Sequence, residues 1–218
     1  MKKIRLIIPY FGKLPKFFPY FLLTAKRNQK IDFLIYTDQN VDQLEILNAE
    51  NIEFKTLSFD DLRKKVQSKF DFEISLKTPY KLCDYKVAYG FIFEEELKGY
   101  DYWGFCDTDV LLGDIYQFLE EHSFFENDYA RYGLLGHLQI FKNSQEVNHV
   151  FMSGQGLNYR LDYHNVFTSE QNFIFDEAEG IQKLFEKSGF EQLQDKFFDD
   201  IDISHFSFKE YGENEPKR

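Results

Sequence analysis

Strand-like and helix-like segments alternate over roughly the first 120 residues, and this alternation limits the fold more than any other feature. Apolar, β-branched runs predict strands at residues 2–11, 31–38 and 52–59, and segments with helical spacing of apolar residues follow the first and third of these runs. Strands that alternate with helices pair in parallel and are covered on both faces. We therefore expect an α/β/α sandwich with a mainly parallel, mixed central sheet.

A second group of elements follows after a helix-like stretch at residues 79–97. The run "YDYWGFC" predicts a strand that ends directly before Asp107, and "GDIYQFLEEH" predicts the next helix. The segment "YGLLGHLQIFKNSQEVNHVF" predicts a strand, a turn and a helix capped by Asn143 or Ser144. Beyond about residue 150 the pattern breaks into short segments.

Composition excludes some classes of protein. The 37 acidic and 26 basic residues give a net charge of −11, which argues against nonspecific binding of nucleic acid, because such binding needs a basic surface. The two cysteines, Cys83 and Cys106, have neither the spacing of a metal site nor the density of a secreted scaffold. We expect reduced thiols and a cytoplasmic protein.

The N-terminal region predicts neither a signal peptide nor a transmembrane segment. Its apolar run is short and meets Pro9 and Gly12, and the apolar stretch at residues 17–23 is far below the roughly 20 residues that span a bilayer. Basic residues flank this stretch, so it fits either a core-facing helix or a peripheral contact with the inner face of an anionic membrane.

The triplet Asp107-Thr108-Asp109 carries the strongest chemical signal. Burying an unpaired carboxylate costs several kcal/mol, so such a pair normally has a partner or a metal. Residues i and i+2 lie on one side of an extended chain, and ligands of α/β sheets bind outside the carboxyl ends of the strands. Asp107 and Asp109 could therefore hold one Mn²⁺ or Mg²⁺ ion against the phosphates of a substrate.

Three interpretations of the triplet compete. The two residues could serve as turn and cap residues ahead of the helix near Asp114. They could belong to a Mg²⁺-dependent phosphohydrolase with Asp107 as nucleophile, although three strands precede the triplet here and that motif normally follows the first strand. They could also form the metal site of a glycosyltransferase, in which the cation stabilises a departing diphosphate.

The context of the triplet favours the third interpretation. The stretches "IPYFGKLP", "IDFLIYTD", "PYKLCDYKVAYGFIF", "GYDYWGFCDTDVLLGDI" and "GHLQIFKN" together span roughly residues 4–143. In this combination the chain resembles the GT-A class of glycosyltransferases, and more closely a bacterial family of glycosyltransferase-like proteins linked to capsule or lipopolysaccharide synthesis. The resemblance implies a GT-A-like (Rossmann-like) fold.

The resemblance also implies site residues. Asp107 and Asp109 are similar to a metal-binding DxD motif, with Asp109 as the direct ligand and Asp107 also near the nucleotide-sugar. The donor side would further include the loop after the first strand, the end of the second strand and the stretch before the DxD: Pro9, Tyr10, Phe11, Asp38, Lys81, Asp84 and Lys86. For Lys86, a solvated charge on a helix is the alternative.

The chain departs from this pattern at its end. GT-A enzymes often complete the metal shell with a C-terminal histidine, and here the nearest candidate is His205. Either His205 is the third ligand, or the chain is a short variant or truncated. We expect a single domain over residues 1–218, with residues 1–115 as the nucleotide-sugar-binding half and residues 116–218 as the acceptor-side half.

The acceptor side offers Asp176 and Glu177 as catalytic candidates. An inverting transferase needs a carboxylate base to deprotonate the acceptor hydroxyl, whereas a retaining enzyme does not. The alternative is structural: Asp176 as a helix N-cap with Glu177 in the first turn. His137, on an apolar strand, fits either a core residue or a contact to sugar or phosphate.

The sequence therefore predicts a metal-dependent glycosyltransferase. It would move a sugar from a nucleotide-sugar, with UDP-sugar as the expected donor, to a glycan or lipid-linked acceptor in bacterial surface polysaccharide synthesis. Two alternatives stay open: the phosphohydrolase that uses Asp107, and a catalytically silent module that binds nucleotides or glycans.

Overall fold

The computed structural model describes residues 1–42, 44, 49–133 and 135–194, together with the backbone of residues 198–202 and 207–211. Its main feature is a mixed sheet of seven strands in the order β3-β2-β1-β4-β6-β5-β7. The strands are β1 (Ile4–Pro9), β2 (Ile31–Thr37), β3 (Ile52–Thr56), β4 (Tyr102–Cys106), β5 (Arg131–Tyr132), β6 (Leu138–Lys142) and β7 (Gln192–Leu193). In this sheet β6 runs antiparallel to the others, and β8 (Phe198–Asp202) and β9 (Ser207–Tyr211) form a separate antiparallel pair.

Helices connect and cover these strands. The α-helices are α1 (Phe18–Arg27), α2 (Phe59–Gln67), α3 (Leu82–Tyr85), α4 (Tyr89–Ile92), α5 (Ile115–Glu121), α6 (Gln145–Asn148), α7 (Tyr163–Thr168) and α8 (Lys183–Ser188). Short 3₁₀ turns at Pro79–Lys81, Lys86–Ala88 and Val150–Gly154 join several of them, and a π-helical turn at Ala178–Gln182 precedes α8.

The sheet confirms the expected fold class, an α/β/α sandwich with a mainly parallel, mixed central sheet. The three strands predicted near the N-terminus are β1 to β3, and they pair in parallel. Ser144 caps α6, as one of the two candidate caps. Ser58 caps α2, and the helix-like stretch at residues 79–97 consists of several short helical turns.

Two apolar layers flank the sheet, as the alternation of side chains along each strand requires. Ile4, Leu6 and Ile8 of β1 lie in one layer with the buried residues of α1 and α5. Ile7 lies in the opposite layer, which includes buried residues of α2, α3, α4, α6, α7 and α8. Burial on both faces makes the central strands apolar throughout, which is typical of parallel sheets.

The order in which the strands are added to the sheet changes direction at the boundary between β1 and β4. Strands β1, β2 and β3 succeed one another towards one edge, and β4 then pairs on the other side of β1. In open α/β sheets such a switch point leaves a crevice at the carboxyl ends of the two strands. Pro9 ends β1, and Asp107 directly follows β4, so both residues lie at this crevice.

Cys83 and Cys106 are free thiols, as expected. No helix in the described part of the chain has the length and apolarity needed to cross a bilayer.

A glycine in β4 tests this packing. An alanine Cβ at Gly104 would lie 2.3 Å from the Gln139 carbonyl oxygen on β6 and 2.7 Å from the Leu6 side chain. We expect Gly104→Ala to lower the free energy of unfolding by about 3 kcal/mol, since the neighbour at the closest distance is backbone and cannot move aside. Urea unfolding measures the loss. Gly113→Ala is the matched control, because its Cβ meets nothing within 4 Å. Equal stability of the two variants would contradict the packing described.

Candidate functional site

Lys86 is the centre of the crevice. It begins the short turn after α3, and its side chain is 15% exposed. The ammonium donates to Asp107 Oδ1 at 2.7 Å, to Asp176 Oδ2 at 3.0 Å and to the Gly136 carbonyl oxygen at 3.1 Å. A lysine ammonium has three donors, and all three are used here. The alternative of a solvated helix charge is therefore wrong for Lys86.

Asp107 links the end of β4 to the loop before β6. Its backbone N–H donates to the His137 carbonyl oxygen at 2.8 Å, and His137 Nδ1 lies 3.7 Å from Asp107 Oδ2. The His137 side chain is 47% exposed, so it belongs to the crevice and not to the core. Both oxygens of Asp107 therefore face cationic or protonatable nitrogen atoms.

Asp176 approaches from the other half of the chain. Its side chain is 4% exposed, and Oδ1 has no hydrogen-bond partner among the described residues. Gly136 permits the approach, because a Cβ there would lie 2.6 Å from Asp176 Oδ2. Asp176 is not a helix cap, since the following π-helical turn has Glu177 at its N-cap position and no side-chain cap. A buried carboxylate with one unpartnered oxygen is suited to accept a proton or a hydrogen bond from a ligand.

Burial and charge set the pKa values of these groups in opposite directions. Burial raises the pKa of Asp176, and Lys86 only partly opposes this, while Glu177 and Asp107 add to it. Burial would also raise the pKa of Asp107, but hydrogen bonding from His137 and the charge of Lys86 outweigh it and lower the pKa. Burial by itself would lower the pKa of Lys86, but the carboxylates of Asp176 and Asp107 have the larger effect, so the pKa is raised. The site therefore holds one firmly ionised carboxylate, one ammonium and one more basic carboxylate.

Lys81 and Asp84 lie below the crevice, not in it. Both side chains are almost fully buried, and Lys81 Nζ donates to Asp84 Oδ2 at 2.7 Å. Lys81 also donates to the carbonyl oxygens of Val166 and Gln171. Asp84 accepts from the backbone N–H groups of Phe173 and Phe175, at 3.0 to 3.1 Å.

The contacts of this ion pair assign it a positioning role. It holds the segment at residues 171–175, which leads directly into Asp176. The expectation that the two side chains border the donor has no support from these contacts, because their polar atoms are engaged within the fold.

A second buried group supports Asp176 from behind. Gln139 on β6 donates to the Asp176 carbonyl oxygen, and Gln139 Oε1 accepts from Arg131 Nη2 at 2.9 Å and from Nε at 3.1 Å. Arg131 is 1% exposed and also donates to Gln182 and Gln192. Burial lowers its pKa to about 9. Arg131 and Gln139 were not among the site residues predicted from the sequence. A polar residue in the apolar run "GHLQIF" was the available signal.

The loop after β1 meets the end of β2 at the same edge. The Gly12 N–H donates to Asp38 Oδ1 at 2.9 Å, and the Tyr10 N–H donates to the Tyr36 carbonyl oxygen at 2.8 Å. Phe11 is buried, with its ring centroid 5.4 Å from that of Phe59. Hydrogen bonding from Gln39 is the main reason that the pKa of Asp38 is lowered. Pro9, Tyr10, Phe11 and Asp38 thus lie at the same edge of the sheet, and that they border a donor stays a prediction.

Asp109 and Asp107 offer a partial metal site. The Asp109 side chain is exposed and forms no hydrogen bond or ion pair among the described residues, while Lys86 binds Asp107. No cluster of three or more His, Cys, Asp or Glu side chains in the described ranges is arranged to hold a metal ion. His205, the third expected ligand, lies outside the described residues. Two carboxylates fit Mg²⁺ or Mn²⁺ of the kind that binds through one or two side chains, water and substrate phosphates.

Comparisons with known proteins place the chain in a family but assign no activity. A family model described as "Family of unknown function (DUF6625)" matches residues 6–218. A comparison with curated proteins finds no significant match. Among solved structures, the chain is similar to the crystal structure of mouse xyloside xylosyltransferase 1 in its apo form, with 10% identity and a TM-score of 0.42. The alignment covers 86% of this chain and 81% of that one, and a likeness this distant carries no argument about activity.

Removing Lys86 tests the ion cluster. In Lys86→Met the buried Asp176 and the half-buried Asp107 lose their shared cation, so we expect the free energy of unfolding to fall by about 3 kcal/mol at pH 7. The loss should be smaller at pH 5, because Asp176 then has a raised pKa with no opposing charge and takes up a proton on folding. Urea unfolding at both pH values measures this.

Two variants control that experiment. Lys98→Met removes an exposed lysine with a side chain 70% accessible, and its stability should change by less than about 0.5 kcal/mol. Adding Asp176→Asn to Lys86→Met removes the unpaired buried charge and should restore part of the loss. A pH-independent loss in Lys86→Met would contradict the cluster.

Removing the charge of Asp84 tests the positioning role of the buried pair. In Asp84→Asn the ammonium of Lys81 loses its ionic partner, and we expect a loss of about 3 kcal/mol in stability. Hydrogen exchange should rise at the amides of Phe173 and Phe175, whose acceptor has changed. Asp71→Asn, on an exposed aspartate, is the matched control. Unchanged exchange in Asp84→Asn would rule out the positioning role.

Proposed function

The chain belongs to the family of unknown function DUF6625, and from the geometry of its crevice we propose that it is a glycosyltransferase with a nucleotide-sugar donor. The observation that carries this proposal is the placement of Lys86 between Asp107 and Asp176 at the switch point of the sheet. Switch points of α/β sheets bind nucleotides and related ligands. The charged groups needed for a diphosphate leaving group and for an acceptor hydroxyl thus lie in one crevice.

The donor would lie along the carboxyl ends of β1, β2 and β4. The loop with Pro9, Tyr10 and Phe11 and the carboxylate of Asp38 would border the nucleoside. Asp107, fixed by Lys86, would bind a hydroxyl of the donor, and Asp109 with Asp107 would hold Mn²⁺ or Mg²⁺. Such a cation supplies charge neutralisation for a departing diphosphate.

Asp176 is the proposed base. Its Oδ1 has no partner among the described residues, and its raised pKa brings its basicity closer to neutral pH. In an inverting reaction it would take the proton of the acceptor hydroxyl as the hydroxyl oxygen attacks the anomeric carbon and the bond to the diphosphate breaks. Lys86 would keep the carboxylate ionised and oriented until then. Glu177, whose Oε1 lies 3.3 Å from the Cβ position of Gly136, would bind acceptor hydroxyls.

The substrates are also part of this proposal. We expect a UDP-sugar as donor and a glycan or lipid-linked glycan as acceptor, in the synthesis of bacterial surface polysaccharide. These follow from the resemblance of the motifs around Asp107 and not from the contacts of the crevice.

Donor turnover tests the proposed function. The protein is incubated with Mn²⁺ and a panel of nucleotide-sugars, and release of the nucleoside diphosphate is measured. We expect release from at least one donor, reduced about 100-fold in Asp176→Asn and in Asp109→Asn, since each removes a group that acts in the transition state. Asp71→Asn is the matched control, because it removes an exposed carboxylate outside the crevice.

Two other outcomes would contradict the transferase. Turnover of phosphate esters through a covalent intermediate on Asp107 would identify the phosphohydrolase. A donor-induced rise in melting temperature without turnover of any donor would identify a silent binding module.

A further inference from the structure

Helix α1 and the loop before it expose apolar side chains along one face. Phe17, Tyr20 and Leu23 are 46%, 61% and 45% exposed. The three side chains are spaced three residues apart, so they follow one face of the helix. The opposite face is buried: Phe18, Phe21, Leu22 and Ala25 pack in the core. The exposed apolar residues are therefore not needed to hold the helix on the sheet.

The stretch of sequence that includes this face is basic. Residues 1–31 contain eight of the 26 basic residues and none of the 37 acidic residues. Lys13, Lys16 and Arg27, all exposed, border the apolar face, and none of them forms an ion pair within the described part of the chain. Lys2 and Lys30, which are among the eight, lie away from the apolar face and are paired, as are exposed lysines of other segments such as Lys64, Lys77 and Lys98.

Two carboxylates near this surface, Asp38 and Asp114, are engaged in hydrogen bonds with groups other than Lys13, Lys16 and Arg27. Asp38 accepts hydrogen bonds from the Gly12 N–H and from Gln39, and Asp114 accepts from the Gln117 N–H. The loop at residues 110–113 is attached to α1, because the Leu112 N–H donates to Thr24 Oγ1 at 3.1 Å. Leu111 in that loop is 72% exposed and enlarges the apolar area.

We infer that the exposed face of α1, with Lys13, Lys16, Phe17, Tyr20 and Leu23 as its main contacts, binds the surface of an anionic lipid bilayer. Aromatic and apolar side chains on one helix face, bordered by unpaired cations, are what interfacial binding to anionic lipid requires. The inference is independent of the proposed activity.

The charge of this face favours an anionic bilayer over a second copy of the chain or a nucleic acid. A symmetric dimer through this face would bring Lys13, Lys16 and Arg27 against the same cations of a second copy, which is unfavourable. A nucleic acid would meet a chain with a net charge of −11, whereas a bilayer contacts one face only.

The surface would also orient the crevice. The loop at residues 110–113 directly follows Asp109, so binding through α1 and Leu111 would bring the carboxyl edge of β4 towards the lipid headgroups. Substrates that reside in the membrane could then reach the crevice without leaving it.

Sedimentation with vesicles tests the inference. The wild-type chain is mixed with vesicles of phosphatidylcholine alone or of phosphatidylcholine with phosphatidylglycerol. We expect binding only to the anionic vesicles, with affinity reduced by added salt. Lys13→Gln/Lys16→Gln should weaken binding by about 25-fold, at roughly five-fold for each cation near an anionic surface. Tyr20→Ser/Leu23→Ser should weaken it by at least ten-fold, about the effect of losing two partly inserted side chains.

Matched variants control for net charge and hydrophobicity. Arg160→Gln/Lys187→Gln removes two exposed cations elsewhere, and Leu157→Ser removes an exposed leucine elsewhere. Both should bind the anionic vesicles as the wild type does, and circular dichroism checks the fold of every variant. Equal weakening by the control and test variants, or no binding by the wild type at low salt, would overturn the inference.

A fluorescence experiment locates the contact. Trp103, the single tryptophan, is fully buried, so a tryptophan placed at the surface reports its own environment. In Tyr20→Trp the emission should shift to shorter wavelength on anionic vesicles, and in Tyr80→Trp, at a side chain 75% exposed on a different segment, it should not. A shift in both variants, or in neither, would contradict α1 as the contact. Analytical ultracentrifugation distinguishes the remaining outcome: a dimer abolished by Tyr20→Ser/Leu23→Ser, without vesicle binding, would replace lipid with a second copy.

Discussion

The contact of one ammonium with two carboxylates is the interaction on which the crevice depends. Lys86 follows α3, Asp107 follows β4 and Asp176 lies 90 residues beyond Lys86, so the cluster joins three separate parts of the chain. Without the lysine, Asp176 would be a buried charge with no compensation, which costs several kcal/mol. With the lysine, the ion pair offsets the cost of burying the carboxylate, and Asp176 Oδ1 still has no hydrogen-bond partner among the described residues.

Buried polar groups beneath the cluster explain why it keeps its geometry. Lys81 and Asp84 hold the backbone before Asp176, and Arg131 holds Gln139, which in turn binds the backbone of Asp176 itself. Each of these groups has several hydrogen-bond partners within the fold. Such networks are costly when incomplete and specify one arrangement when complete. A loop that would otherwise be mobile is thus fixed from two sides.

The crevice and the surface around α1 differ in charge. The crevice combines acidic residues with the buried ammonium of Lys86, whereas Lys13 and Lys16, in the loop before α1, are exposed cations beside exposed apolar side chains. The loop at residues 110–113 connects the two, since it leaves the end of β4 and is bonded to α1. The proposed substrate chemistry and the inferred membrane surface would therefore share one edge of the sheet.

The sequence by itself determined the elements of the sheet and the position of Asp107 and Asp109 at a strand end, because hydrophobic period and turn residues are local signals. It also brought Asp38 and the Pro9–Phe11 loop to the correct edge, since parallel strands share their carboxyl ends. Only the tertiary structure decided that Lys86 joins Asp107 to Asp176, that Asp176 is no cap, and that Lys81 and Asp84 are buried. Those outcomes depend on contacts between residues up to 91 positions apart, which no local pattern records.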